Sequence, residues 1–99
     1  MRRITVLYEK PSDPAGFDAH YPTHIQLVLA LPGLRRFSWS RPDEGDDARP
    51  YLVAELDFDD ADAVAAAQES PAMTEVVADA GGMGVPMILF TGDVEQAAP

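Results

Sequence analysis

What constrains this chain most is the order in which two hydrophobic periods follow one another. Residues Arg3–Tyr8 are rich in Ile, Val, Thr and Tyr, and Ile4, Val6 and Tyr8 fall on one face of a strand. Phe17, His20/Tyr21, His24, Val28 and Leu31 then recur at the spacing of one helical face. Alternation returns in Leu34–Arg41, with Phe37 and Trp39 on one side. It returns again in Tyr51–Phe58, with Leu52, Ala54, Leu56 and Phe58 inward and Glu55 and Asp57 opposite. A second helical stretch follows, and Val85–Thr91 reads as a last strand. The order β-α-β-β-α-β predicts an α+β, ferredoxin-like fold: an antiparallel four-stranded sheet with its helices on one face.

Turn and cap residues divide the same segments. Asp13-Pro14 is a helix start, with Asp as N-cap and Pro at the first helical position. Pro22 lies inside that helical pattern, where it removes a hydrogen bond and clashes one turn back. The spacing therefore predicts a kink or restart near Asp18–Tyr21, and Pro32-Gly33 ends the helix. Pro42–Arg49 is a polar loop. Asp59 or Asp60 caps a short helix over Ala61–Glu69. Ser70-Pro71 opens another through about Asp79, with Met73, Val76, Val77 and Ala80 on one face, and Gly81-Gly82 stops it. Residues Gly92–Pro99 hold few large apolar groups and read as a frayed tail. The whole of residues 1–99 is expected to be a single domain.

Charge excludes several partners. Seven basic side chains stand against 17 acidic ones, a net charge of −10. Residues 1–41 carry +3 and residues 42–99 carry −13. Affinity for nucleic acid comes mainly from Lys and Arg meeting phosphates, so neither nucleic acid nor an anionic membrane suits this chain. Cysteine is absent, which excludes disulfides, thiolate metal sites and thiol nucleophiles. With no leader-like or membrane-length apolar run, a cytoplasmic location is expected. One sheet face would remain uncovered. Leu7, Val53 and either Ile88 and Phe90 or Met87 and Leu89 make it too apolar for water, so a homodimer is expected.

Three segments, FDAHYPTHIQLVLALPGLRRF, YLVAELDFDD and SPAMTEVVADAGGMG, resemble the EthD family, named for a small protein encoded with an ethyl tert-butyl ether degradation system. The resemblance spans about Thr5 to Thr91. It rests on His24, on LPGLRRF, and on the Ser70-Pro71 helix start with Asp79 at its end. It implies a dimeric α+β barrel, an architecture similar to that of cofactor-independent monooxygenases, polyketide cyclases, muconolactone isomerases and dehydratases of aromatic polyketides. Pro22 departs from the family, whose helix runs on unbroken.

His24 is the sharpest candidate for chemistry. It lies mid-stripe, where an imidazole can act as general acid or base. The competing reading is a core histidine bonded to a backbone carbonyl. His20 and His24 have the spacing of two metal ligands, but HYPTH lacks a third, so no metal is expected and His20 belongs at a pocket rim or in solvent. Tyr8 and Trp39 are candidate substrate-binding residues because each joins an apolar ring to a polar group, and His20 and Tyr21 lie beside them. Asp79 would pair with an Arg, cap a turn, or reach His24. GGMG at 81–84 follows a helix and lacks the dinucleotide-binding spacing. The acids facing out of YLVAELDF argue against an RNA-binding sheet. Two functions remain open. One is a cofactor-independent enzyme of monooxygenase (oxidoreductase), cyclase or dehydratase type, moving a proton on a hydrophobic, aromatic or polyketide-like molecule. The other is a non-catalytic small-ligand-binding accessory protein of a degradation or biosynthesis pathway.

Overall fold

Strand β1 (Arg2–Tyr8) takes a central place because both its edges are paired. In the computed structural model, which describes residues 1–45 and 49–97, β3 (Leu52–Phe58) flanks it on one side and β4 (Met87–Asp93) on the other. The short β2 (Arg36–Ser40) lies outside β3, giving the order β2-β3-β1-β4, with every pairing antiparallel. Ile4, Val6 and Tyr8 stand opposite Leu56, Ala54 and Leu52, so the alternating apolar residues of both strands share one face. Onto that face pack α1 (Pro14–Leu29), α2 (Ala61–Gln68) and α3 (Pro71–Met83). The expected ferredoxin-like sheet, with the second helix broken in two, is what the chain forms.

The helix starts fall where the caps predict. The side chains of Asp13, Asp60 and Ser70 accept hydrogen bonds from the backbone N–H of Gly16, Ala63 and Met73. Of the kink or restart expected near Asp18–Tyr21, the restart does not occur; α1 is one helix through Pro22. Pro22 and Asp18 are both exposed, so the carbonyl that loses its partner faces water, and the ring lies away from the packed stripe of Phe17, Tyr21, His24 and Val28.

Several boundaries differ from the sequence reading: β2 is shorter than Leu34–Arg41, α1 ends at Leu29 ahead of Pro32-Gly33, and three more lie towards the end of the chain. Helix α3 does not stop at Gly81-Gly82 but continues to Met83 and ends at Gly84, in the left-handed conformation at φ 64°. Two glycines inside a helix cost about 1 kcal/mol each, which packing of Met83 and burial of the following Val85 offset. Pairing of β4 begins at Met87, not Val85, because Pro86 has no N–H to give; its carbonyl accepts from Glu9 instead. Residues Gly92 and Asp93, read as tail, belong to β4. Arg2 holds Asp93 at 3.3 Å, and the Val94 N–H donates to the Met1 carbonyl. Residues 98–99 of the expected tail and 46–48 of the polar loop lie outside the described residues.

Register also decides which residues of β4 face outward. Leu7 pairs with Ile88 and Thr5 with Phe90, so Ile88 and Phe90 join Leu7 and Val53 on the face away from the helices. Ile88 is 60% and Phe90 49% exposed there. The same face carries Arg3, which grips the otherwise buried Asp57 at 2.7 and 3.1 Å and Glu55 at 2.6 Å.

Candidate active site

The stripe on α1 sends His24 towards the sheet, and the ring is 3% exposed. A buried imidazole needs a partner. His24 finds it on α3, where its Nδ1 lies 2.7 Å from Oδ2 of Asp79. The other oxygen of the same carboxylate, Oδ1, lies 2.8 Å from Nε2 of His20. An ionised carboxylate only accepts, so His24 carries a proton on Nδ1, and in the neutral ring the lone pair is then on Nε2. Among the described residues, no hydrogen bond is made to His24 Nε2. Of the two readings of His24, the backbone-carbonyl partner is not what the structure shows.

Asp79 is the residue that joins the two histidines. Partial burial pushes its carboxyl pKa up, but the hydrogen bonds and attraction of His20 and His24 outweigh this and hold it below the ordinary carboxylate range. A folded pKa below the unfolded one stabilises the fold above the ordinary range, and that stabilisation is lost as pH falls through the folded value. Asp79→Ala is therefore expected to lower the urea midpoint at pH 7 by the equivalent of ~1–3 kcal/mol, since a buried N–H loses its acceptor. The gap should narrow as the pH is lowered below 4, the range in which ordinary carboxyls protonate. An equal gap at both ends would show that Asp79 acts by packing alone.

His24 stands on the wall of an apolar cavity of about 580 Å³ between α1, α3 and the sheet. Tyr8, Tyr21, Val28 and Met73 line it, and the exposed Val77 and Leu89 border it. Tyr21 is 2% exposed, and its hydroxyl is the one buried side-chain polar atom among the described residues with no partner. Burial raises the phenol pKa of both tyrosines, that of Tyr8 to about 12 with the Asp79 charge adding to it, so both stay protonated at neutral pH. The site thus combines an imidazole held through Nδ1, a buried hydroxyl without a partner among the described residues, and largely apolar walls.

The residues singled out by sequence do not all meet here. Tyr8, Tyr21 and His24 do. Trp39 does not line the cavity; it is 43% exposed on the edge strand β2, with its ring edge-to-face against Tyr21, 6.1 Å between centroids. Phe37, one alternation earlier on the strand, takes the wall position. His20 lies on the far side of Asp79, in a separate cleft of about 310 Å³.

The chain as a whole is similar to known proteins. The family model of the EthD domain matches residues 9–83. The chain belongs to the EthD family. An uncharacterised 11.0 kDa protein from the thcB–thcC intergenic region of Rhodococcus erythropolis is 36% identical, with all of both chains aligned. The EthD fold is shared by the crystal structure of an EthD family protein of Bacillus halodurans (TM-score 0.86, 28% identity, 96% of this chain and 99% of the other). SnoaB of Streptomyces nogalater, described as a cofactor-independent oxygenase, superposes at TM-score 0.76 and 17% identity over 99% and 96% of the chains. A dimeric ferredoxin-like protein of unknown function from Thermobifida fusca does so at 0.75 and 16% identity over 94% and 90%. At those identities the last two show fold alone. Among the described residues, no helix is long and apolar enough to cross a membrane.

Proposed function

We propose that this EthD protein is a cofactor-independent enzyme that takes a proton from a hydrophobic, aromatic or polyketide-like molecule, with His24 as the base. The observation that supports this most is the orientation of the imidazole: Nδ1 is held by Asp79, and Nε2 is left without a protein partner on the wall of an apolar cavity. A structural histidine or a binding-only site has no need of that free lone pair. A ligand oxygen in this cavity would meet the polar side chains of Tyr8, Tyr21 and Gln68, and the Tyr21 hydroxyl has no partner among the described residues. An enolate forming at that oxygen would be stabilised as His24 becomes cationic beside Asp79. Removal of a proton begins the monooxygenase, cyclase and dehydratase reactions alike, and the fold likeness to a cofactor-independent oxygenase fits the first. Exchange into 2-tetralone, a hydrophobic ketone with acidic C–H bonds, tests the shared step. In D₂O the protein should speed deuterium uptake next to the carbonyl. Binding of the ketone without faster uptake would leave the accessory-protein reading in place.

The same proposal takes the protein to be a homodimer, closed through the sheet face that carries Leu7, Ile88 and Phe90. Ile88 and Phe90 are exposed there, beside the half-buried Leu7 and Val53, and the fold is shared with a dimeric protein. An obligate interface buries roughly 2,000 Å² or more. Light scattering should return twice the chain mass of 10.7 kDa, and Phe90→Glu should halve it. A stable monomer of the unsubstituted protein at micromolar concentration would exclude this assembly.

A further inference from the structure

We propose that the cavity of His24 selects uncharged ligands: the part of the molecule that enters between α3 and β4 bears no carboxylate, phosphate or other anionic group. This rests on the acid–base reading of the same cavity and narrows its substrate class to neutral ketones and phenols.

The placement of the basic side chains carries the inference. The chain has seven of them, all among the described residues, and none lines the cavity. Four are tied to acids elsewhere: Arg2 to Asp93, Arg3 to Glu55 and Asp57, Arg35 to Asp59, and Arg41 to Asp18. Arg36 alternates with Phe37 on β2, so it points to the other face of the sheet, where its register partner is Asp57. Lys10 and Arg49 line a different cleft, against Leu7 and Ile88, and share it with Glu9. The polar groups that do line the cavity, on Tyr8, Tyr21, His24 and Gln68, include no fixed positive charge. Its exposed border is formed by Val77 and Leu89, which are 61% and 58% exposed and apolar.

Taking an ionised carboxylate out of water is costly unless a cation or a full set of donors repays it. Two phenols and one amide suit a carbonyl or phenol oxygen, not a full charge. The nearest fixed charge has the wrong sign. Asp79 lies 2.7 Å behind His24, and in the neutral form that a base needs, the imidazole leaves that charge uncancelled towards the cavity. The reaction makes the same demand. A neutral ligand that loses its proton leaves one enolate charge beside one imidazolium. A ligand already anionic would leave two negative charges against that one cation, with Asp79 behind it.

Three ligands of nearly one shape separate charge from size and polarity: 2-acetylnaphthalene, 2-naphthamide and 2-naphthoate. They are titrated at pH 7, where the naphthoate is ionised, into the ¹⁵N-labelled full-length protein, and Kd is read from the shifts of His24, Val77 and Leu89. Naphthoate should bind at least ~tenfold more weakly than the ketone and the amide, because the desolvation of its charge is not repaid. Val77→Lys puts a cation at the cavity border, at an exposed position, and Val77→Gln is its uncharged control. The Lys variant should tighten naphthoate by about threefold or more, the scale of a partly exposed ion pair, and the Gln variant should not. Naphthoate bound to the unsubstituted protein as tightly as the ketone would overturn the proposal. So would a Val77→Lys protein that binds the ketone but gains nothing for naphthoate, or binding of none of the three. Deuterium uptake by 2-tetralone reads His24 separately. Uptake together with equal binding of naphthoate and ketone would remove the charge selection alone. Selective binding without uptake would remove the acid–base reading and leave the ligand class standing.

Discussion

His24→Ala is expected to retain the fold and the dimer while lowering proton abstraction from 2-tetralone ~10²–10⁴-fold, the usual contribution of a positioned general base. The reason is geometric. Among the described residues that line the 580 Å³ cavity, His24 alone offers a basic nitrogen, because both tyrosine phenols are held protonated by burial and the Gln68 amide is not basic. Removing the ring also frees Asp79, which keeps His20 as a partner, so the carboxylate is not stranded. A stability loss of ~1–3 kcal/mol should accompany the change, from the lost hydrogen bond and packing. Deuterium uptake measured at equal folded concentration separates the two effects. Unchanged uptake with only that stability loss would make His24 a packing residue.

Phe58→Ala should have the largest effect on stability, ~3–5 kcal/mol, the range for deleting a buried aromatic ring from a core. Phe58 is fully buried at the end of β3, with its ring against the turn at Gly33, about 4.0 Å from where a Cβ there would stand. A domain of this size has ~5–15 kcal/mol in total, so the variant should lie near the edge of folding. Phe58 does not line the cavity of His24, so the fraction that folds should keep its rate of deuterium uptake. A urea midpoint within 1 kcal/mol of the unsubstituted protein would show that the core around β3 collapses to fill the space.

Much of this molecule was legible in the sequence because its information is local. Alternation in Arg3–Tyr8 and Tyr51–Phe58 sets which side chains share a face, and three cap residues set where helices begin. The α1 stripe placed Phe17, Tyr21, His24 and Val28 inward with no knowledge of what they meet. Endings were harder to read. Gly81-Gly82 look like a stop, yet Met83 and Val85 pack into the core and draw the helix one turn further; the anchoring contact comes from elsewhere in the chain. Pro22 looks like a break, but whether it breaks a helix depends on which side faces water, and here the solvent side takes it.

What only the tertiary structure decided is the partnership of side chains far apart in sequence. The family resemblance drew attention to Asp79, and pairing with His24 was one of three readings, but nothing local chose among them. Docking α3 beside α1 brings the carboxylate, 55 residues along the chain, to both imidazoles. The same docking opens the cavity under Tyr21 and chooses Phe37 over Trp39 for its wall. The register of β4 against β1, not its composition, sends Ile88 and Phe90 outward and Met87 and Leu89 inward, because a shift of one residue would exchange the two faces. Periodicity tells each segment which side to bury. The site exists because three elements, each obeying its own period, meet at distances that no one segment encodes.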